Sequence, residues 1–171
     1  MSETRTVIIV GSSRSTGNTA ELAIAVASKL QASVIDLNQY QIAPFDYEFK
    51  NQGDDFMSLM RQVLSFDRII LATPMYWYAP SAIMKTFMDR ISDLLKIEKE
   101  LGRQLRSKKA ALLGTGCDAT PAACFEQVFE LTFDYLGMAY QGMLYASCED
   151  EFIHAEHMLA IERFTETLHA E

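Results

Sequence analysis

Apolar residues in this chain gather into short continuous runs, separated by stretches in which apolar positions recur every three or four residues. The runs lie at residues 6–10, 34–37, 68–73, 110–114 and 139–146. Short apolar runs bounded by polar turns predict strands that are buried on both faces. The run at 139–146 is rich in Met and Tyr and is the least regular of the five.

The intervening stretches predict five helices. In the first, Leu22, Val26 and Leu30 belong to one apolar stripe, and Asn18 is expected to cap its N-terminus. The second is expected over residues 54–66 and the third from about Pro80 onward, because proline suits a first helical turn. The last two are predicted over residues 121–136 and 155–170.

Strands that alternate with helices predict βαβ units, and therefore a parallel sheet with helices on both faces. Five such strands favour a single α/β domain over residues 1–171 with the flavodoxin-like doubly wound order 2-1-3-4-5. In this architecture ligands bind at the carboxyl ends of the strands. Two irregular segments remain: residues 38–53 are a candidate lid or partner contact, and residues 94–108 are expected to form a charged, solvated surface.

Composition narrows the classes of partner. The 171 residues are 49% hydrophobic and carry a formal net charge of −8, which disfavours nucleic acid and anionic membranes as main partners. No apolar run reaches membrane-spanning length, and no secretory leader is evident.

The three cysteines lack metal spacing and are interpreted as reduced thiols of a cytoplasmic protein, with Cys117 more plausible as a bystander than as a redox group. No metal site is expected, even at His154 and His157.

The most informative segment is the loop at residues 11–19, between the first strand and the first helix. It is rich in hydroxyl groups, and a strand-to-helix turn of this kind points backbone N–H groups and the helix dipole at an anion. Gly11 and Gly17 allow positive φ angles and are expected to let the backbone approach the ligand closely. The expected phosphate ligands are Ser12, Arg14, Ser15, Thr16, Gly17, Asn18 and Thr19. The alternative is a polar turn whose hydroxyls only cap the helix.

The loop matches neither of the common nucleotide motifs. It contains no Gly-Lys-Ser/Thr of a Walker A sequence and no Gly-x-Gly-x-x-Gly of a dinucleotide fold. These differences favour a monophosphate, and hence FMN over a dinucleotide.

A second loop, after the strand at 68–73, holds three consecutive aromatic residues between two prolines. Consecutive loop residues cannot all point into the core, so at least one ring is expected to line a cleft. Pro74, Met75, Tyr76 and Trp77 are therefore candidates to contact a flat heterocycle. The alternative is that these rings pack on the next helix or on a second subunit. After the strand at 110–114, Thr115 and Gly116 are small enough to approach the opposite edge of the same ligand.

Together, residues 11–14, 17–19 and 73–90 resemble the NAD(P)H-dependent FMN reductases of the flavodoxin-like superfamily, and residues 15–21 are similar to the phosphate loop of flavodoxins. The resemblance implies non-covalent FMN, with its phosphate on residues 12–19, its ring against residues 74–77 and its far rim at Thr115 and Gly116. It also implies a homodimer or homotetramer. The chain lacks the family's longer glycine run after residue 114 and the cysteine cluster of iron–sulfur relatives.

The resemblance implies an oxidoreductase that passes a hydride from NAD(P)H through FMN to a quinone, azo, nitroaromatic or flavin acceptor in a ping-pong cycle. Such a transfer needs no acid–base side chain, so no catalytic residue is assigned. The alternative is a flavodoxin-type electron carrier or flavin-binding module without nicotinamide activity.

Overall fold

The computed structural model describes residues 4–170, which form one sheet with helices on both faces. Its strands are β1 (Thr6–Val10), β2 (Ser33–Asp36), β3 (Arg68–Tyr76), β4 (Ala79–Pro80), β5 (Lys109–Gly116) and β6 (Ala139–Ser147). Five of them are parallel in the order β2-β1-β3-β5-β6, and the two-residue β4 pairs antiparallel with the end of β3. This order confirms the predicted doubly wound sheet, with β5 and β6 as its predicted fourth and fifth strands.

The helices are α1 (Asn18–Leu30), α2 (Phe56–Val63), α3 (Ala82–Lys96), α4 (Lys99–Gln104), α5 (Ala123–Leu136) and α6 (His154–Ala170). Successive residues of β1 point to opposite faces of the sheet, as the period of a strand requires. Val7 and Ile9 join a core that is covered by α2, α3 and α5, whereas Ile8 and Val10 join a core that is covered by α1 and α6. Burial on both faces explains why the strands are continuous apolar runs.

The segment at 94–108, predicted to be irregular, contains the end of α3 and the short helix α4. This helix lacks a long apolar stripe and is positioned by a close backbone contact. A Cβ atom at Gly102 would lie 2.5 Å from the carbonyl oxygen of Leu94. Since this contact joins residues of different helices, it was not visible in the local pattern.

A buried ionic cluster holds the long segment at 38–53 against α3. Arg90, which is only 1% exposed, forms ion pairs with Asp54 and Asp93. Its guanidinium also donates to the carbonyl of Ala43 at 2.9 Å and to that of Asn51 at 3.2 Å. One buried cation thus fixes the path of the segment that the sequence suggested as a lid.

Across residues 4–170, no helix combines the length and apolar character required to cross a bilayer. The same residues contain no group of three or more His, Cys, Asp or Glu side chains arranged to hold a metal ion.

Candidate functional site

Three loops meet at the carboxyl edge of the sheet: the loop after β1, the hairpin between β3 and β4, and the loop after β5. The hydroxyls of Ser13 and Tyr76 lie 2.9 Å apart and join the first loop to the hairpin. The hydroxyls of Thr19 and Thr115 lie 2.7 Å apart and join the start of α1 to the end of β5. The two blocks singled out in the sequence are therefore on the same side of the molecule.

Between the loops lies a cavity of about 220 Å³. Most of the predicted site residues line it: Ser12, Arg14, Gly17, Asn18, Thr19, Pro74, Met75, Tyr76, Thr115 and Gly116. The other three are not part of its lining. The hydroxyl of Ser15 is hydrogen-bonded to Asp36, Thr16 is exposed on the loop, and Trp77 is 93% exposed at the hairpin tip.

The N-terminus of α1 opens into this cavity without a capping side chain. The N-cap residue is Gly17, and its carbonyl accepts the first helical hydrogen bond from Glu21 N–H at 3.0 Å. The prediction that Asn18 caps the helix is wrong, because its side-chain amide donates to the carbonyl of Asp150 at 3.2 Å instead. The N–H groups of residues 18–20 precede the first helical bond, so donors and the positive end of the helix dipole face the cavity.

The two loop glycines do not use the positive φ angles that glycine allows. Neither Gly11 nor Gly17 has a positive φ. Gly11 is required by packing, since a Cβ atom there would lie 2.8 Å from the Cβ of Met84 in α3. At Gly17 an added Cβ would lie 3.4 Å from Arg14 Nε, which is an ordinary van der Waals contact. Close packing therefore requires glycine at position 11 but not at position 17.

The loop after β1 is held in place by hydrogen bonds to residues at the end of β2 and just after it. The side-chain amide of Asn38 donates to the carbonyl of Ser12 and to Asp36 Oδ1, both at 2.9 Å. Burial raises the pKa of Asp36, but hydrogen bonds from Ser15 and Asn38 outweigh it and leave that pKa below its usual range. Asp36 is therefore ionised at neutral pH, and it organises the loop through these neutral donors.

The aromatic hairpin has an unusual turn. Trp77 and Tyr78 have φ angles of 49° and 65°, the left-handed conformation at both central positions of a two-residue hairpin loop. Glycine and asparagine normally occupy such positions, because a bulky side chain is strained there. The turn directs both rings away from the core, and both are exposed. The sequence predicted that at least one of the three rings lines a cleft, as Tyr76 does, but not this backbone conformation.

The end of β5 forms the opposite wall. A Cβ atom at Gly116 would lie 2.4 Å from the hydroxyl oxygen of Tyr145 and 3.6 Å from Met75 Cε. The Tyr145 hydroxyl donates to the carbonyl of Asp118 at 3.1 Å, and burial raises the pKa of this phenol. A small residue is thus needed where β5, β6 and the hairpin converge.

Sequence reasoning did not predict Cys148, Glu149 or Asp150, which also line the cavity beside Cys117. They follow β6, whose carboxyl end lies at the same edge as those of β1, β3 and β5. The available signal was topological, because every strand of a parallel sheet delivers its following loop to one edge.

The cavity therefore has two chemically different ends. Hydroxyls, helix N–H groups and the guanidinium of Arg14 gather where α1 begins, whereas Pro74, Met75 and small β5 residues offer apolar surface at the other end. In the Thr19–Thr115 pair, one hydroxyl donates its proton to the oxygen of the other. The proton of the accepting hydroxyl is then available for another acceptor. Such a cavity is suited to a ligand with an anionic tail and a flat apolar body.

Comparison with known proteins agrees with this geometry. The chain is 32% identical to the Bacillus subtilis protein YwqN, which is described as an NAD(P)H-dependent FMN-containing oxidoreductase, over 79% of this chain and 80% of YwqN. The Trp repressor binding protein of B. subtilis superposes with a TM-score of 0.76 at 25% identity, covering 96% of this chain and 97% of that one. A Streptococcus pneumoniae flavodoxin has a TM-score of 0.63 at 23% identity, covering 96% and 98% of the two chains, and supports the fold assignment.

The family model for NADPH-dependent FMN reductases matches residues 4–151, a range that includes all three loops and all the strands described above. On this match and on the likeness to YwqN, the chain belongs to the NADPH-dependent FMN reductase family and is a flavin-dependent oxidoreductase of the flavodoxin-like fold.

Proposed function

We propose that the cavity binds FMN and that the protein oxidises NAD(P)H and reduces a small-molecule acceptor. The observation that carries the proposal is the junction of the donor-rich loop with the aromatic hairpin through Ser13 and Tyr76, whose hydroxyls lie 2.9 Å apart. This junction supports simultaneous contact of one ligand with the start of α1 and with residues 74–76.

The phosphate is assigned to the N-terminus of α1. The N–H groups of residues 18–20 and the side chains of Ser12 and Thr19 provide donors there, and Arg14 provides the positive charge. Charge-assisted hydrogen bonds of this kind are about twice as strong as neutral ones. Ser15 and Thr16, which the sequence also predicts as phosphate ligands, would act through their backbone, since the Ser15 hydroxyl is already bonded to Asp36.

The isoalloxazine ring is assigned to the apolar end. Pro74, Met75 and Tyr76 would contact one part of its rim, and Thr115 and Gly116 the opposite part. Trp77, which is 93% exposed at the hairpin tip, would border the space for a nicotinamide or an acceptor. Aromatic side chains suit this role because their faces stack on flat heterocycles.

When bound, FMN would supply the two-electron chemistry, taking a hydride from NAD(P)H and then reducing a quinone, azo, nitroaromatic or flavin acceptor in a ping-pong cycle. The protein's residues would bind and orient the ring and exclude water from one side of it. No side chain is assigned a proton-transfer role. We also infer a homodimer or homotetramer, supported by the exposed apolar rings of Trp77 and Tyr78; light scattering on the holoprotein would refute it by giving the mass of one chain. A cytoplasmic location is supported by the free thiols of Cys117, Cys124 and Cys148.

The function is tested by adding FMN to the purified protein, removing free flavin and mixing anaerobically with NADPH or NADH. We expect a yellow protein whose visible absorbance is lost within seconds with at least one of the two nicotinamides. A protein that retains no FMN would contradict the whole proposal. A flavin that dithionite reduces but neither nicotinamide reduces would identify the flavodoxin-type electron carrier instead.

Replacing Arg14 with glutamine is expected to weaken FMN binding by about tenfold, because one charge-assisted contact contributes about 1.5 kcal/mol. Riboflavin, which has the same ring and no phosphate, should bind the variant and the wild type equally. The affinities are measured by quenching of flavin fluorescence. Arg103→Gln is the matched control, since Arg103 pairs with Glu100 on the surface of α4. An equal loss for both flavins would place Arg14 at the ring and not at the phosphate.

A further inference from the structure

Two of the three cysteines follow the ends of neighbouring parallel strands. The last paired residues of β5 and β6 are Gly116 and Ser147, and the next residues along the two strands are Cys117 and Cys148. The N–H of Cys148 still donates to the carbonyl of Gly116 at 2.8 Å, which keeps Cys148 in the ladder, while the chain begins to bend at Cys117. The register of the two strands therefore brings the cysteines to neighbouring positions at the end of the strand pair.

Both cysteines also belong to the same face of the sheet. On β5, Leu113 lies in the core under α1 and α6, and the Thr115 hydroxyl contacts Thr19 of α1. On β6, Ala146 and Cys148 lie in that same core. Because side chains alternate with a period of two, Cys117 follows Thr115 onto this face, and both cysteines line the same cavity.

The spacing suits a disulfide. Adjacent strands lie about 4.8 Å apart, and the Cα atoms of bonded cysteines lie about 4.4–6.8 Å apart. The structure has both thiols reduced, with Cys117 exposed and Cys148 buried. Burial raises the pKa of the Cys148 thiol, and the neighbouring Cys117 raises it further. The accessible thiol is therefore the one that an oxidant meets first.

We propose that Cys117 and Cys148 are an oxidisable thiol pair that closes into an intramolecular disulfide at the wall of the cavity. A peroxide oxidises the Cys117 sulfur to a sulfenic acid, breaking the O–O bond and releasing water from hydrogen peroxide. The Cys148 sulfur then attacks the Cys117 sulfur, the S–S bond forms and the hydroxyl leaves as a second water. The sum is two thiols and one hydrogen peroxide giving one disulfide and two waters.

Cys124 provides an internal control. It is exposed in the first turn of α5, and its Sγ lies 3.8 Å from the carbonyl oxygen of Tyr78, at the hairpin. It does not line the cavity wall formed by the other two cysteines. Oxidation should therefore spare Cys124 or modify it independently of the pair.

The test uses the full chain, reduced and freed of flavin, so its result does not depend on the proposed function. The protein is treated with a small excess of hydrogen peroxide, denatured and alkylated with N-ethylmaleimide. Intact mass should show the loss of two hydrogens and of two of the three alkylation sites. Peptide mapping without reductant should find Cys117 linked to Cys148, and dithiothreitol should restore all three sites.

Single cysteine variants test which two cysteines form the disulfide. Cys124→Ser should form the disulfide as the wild type does, whereas Cys117→Ser and Cys148→Ser should not form it. Far-ultraviolet circular dichroism checks that each variant is folded, and Cys117→Ser keeps this test valid because it alters an exposed side chain. The proposal is overturned if Cys117 accumulates as sulfinic acid while Cys148 remains alkylatable, or if the linked peptides contain Cys124.

Discussion

Replacing Arg90 with leucine is expected to lower the free energy of unfolding by about 3–5 kcal/mol, the cost of leaving buried charges without their partner. Two carboxylates, those of Asp54 and Asp93, lose their cation in this variant. The carbonyls of Ala43 and Asn51 lose their donor as well, and the ring of Phe56 loses the guanidinium 4.8 Å above its centre. Urea unfolding, followed by circular dichroism, measures the loss.

The matched control lies on the same helix. Lys85 and Asp89 form an ion pair on the surface of α3, with both side chains about half exposed. Exposed pairs contribute at most about 1 kcal/mol, so Lys85→Ala should cost much less than Arg90→Leu. Equal losses for the two variants would mean that the buried cluster contributes no more than a surface pair.

The same cluster makes part of the folding stability sensitive to acid. Burial raises the pKa of Asp54, but its bonds to Arg90, Ala43 and Phe56 outweigh that effect and leave the pKa below the ordinary value. A carboxyl with a depressed folded-state pKa stabilises the fold above the unfolded-state value of about 3.9. That contribution disappears as pH falls through the depressed pKa. Asp54→Asn should be less stable at neutral pH and should lose less stability on acidification.

Replacing Gly11 with alanine is expected to damage both the fold and the cofactor site. The new Cβ would lie 2.8 Å from Met84 Cβ and 3.0 Å from Met84 Cα, atoms that cannot move without the helix. Gly11 is also held by its N–H bond to Ala72 O at 2.8 Å and by the Ser81 hydroxyl, which donates to its carbonyl at 2.6 Å. Overpacking of this kind costs about 1–3 kcal/mol. Because the loop begins at the next residue, FMN affinity should fall by at least about tenfold.

Two other glycines separate these effects. Gly102 lies in α4, a helix that takes no part in the lining of this cavity. The Cβ of Gly102→Ala would lie 2.5 Å from the carbonyl oxygen of Leu94. This variant should lower stability without changing FMN affinity. Gly53→Ala meets no atom within 4 Å and should change neither quantity. If Gly11→Ala and Gly102→Ala had the same effect on FMN affinity, the contact at Gly11 would have no specific role in the site.

Much of the site could be predicted because its chemistry is local in the chain. A buried strand followed by hydroxyl-rich residues and a helix predicts an anion site at that turn, and Ser12, Arg14 and Thr19 of this turn line the cavity. Glycine roles were not predictable in the same way. The pattern suggested positive φ angles, whereas Gly11 is required by contact with Met84, which is more than seventy residues away in the chain.

The sequence alone determined the alternation of strands and helices, the parallel doubly wound sheet and the loops at its carboxyl edge, because periodicity and turn chemistry act over a few residues. Only the tertiary structure decided which side chains of different loops and helices contact one another. The Ser13–Tyr76 and Thr19–Thr115 contacts, the buried pairing of Arg90 and the neighbouring positions of Cys117 and Cys148 join residues that are distant in the chain. Such contacts depend on strand register and helix packing, which no local pattern of residues encodes.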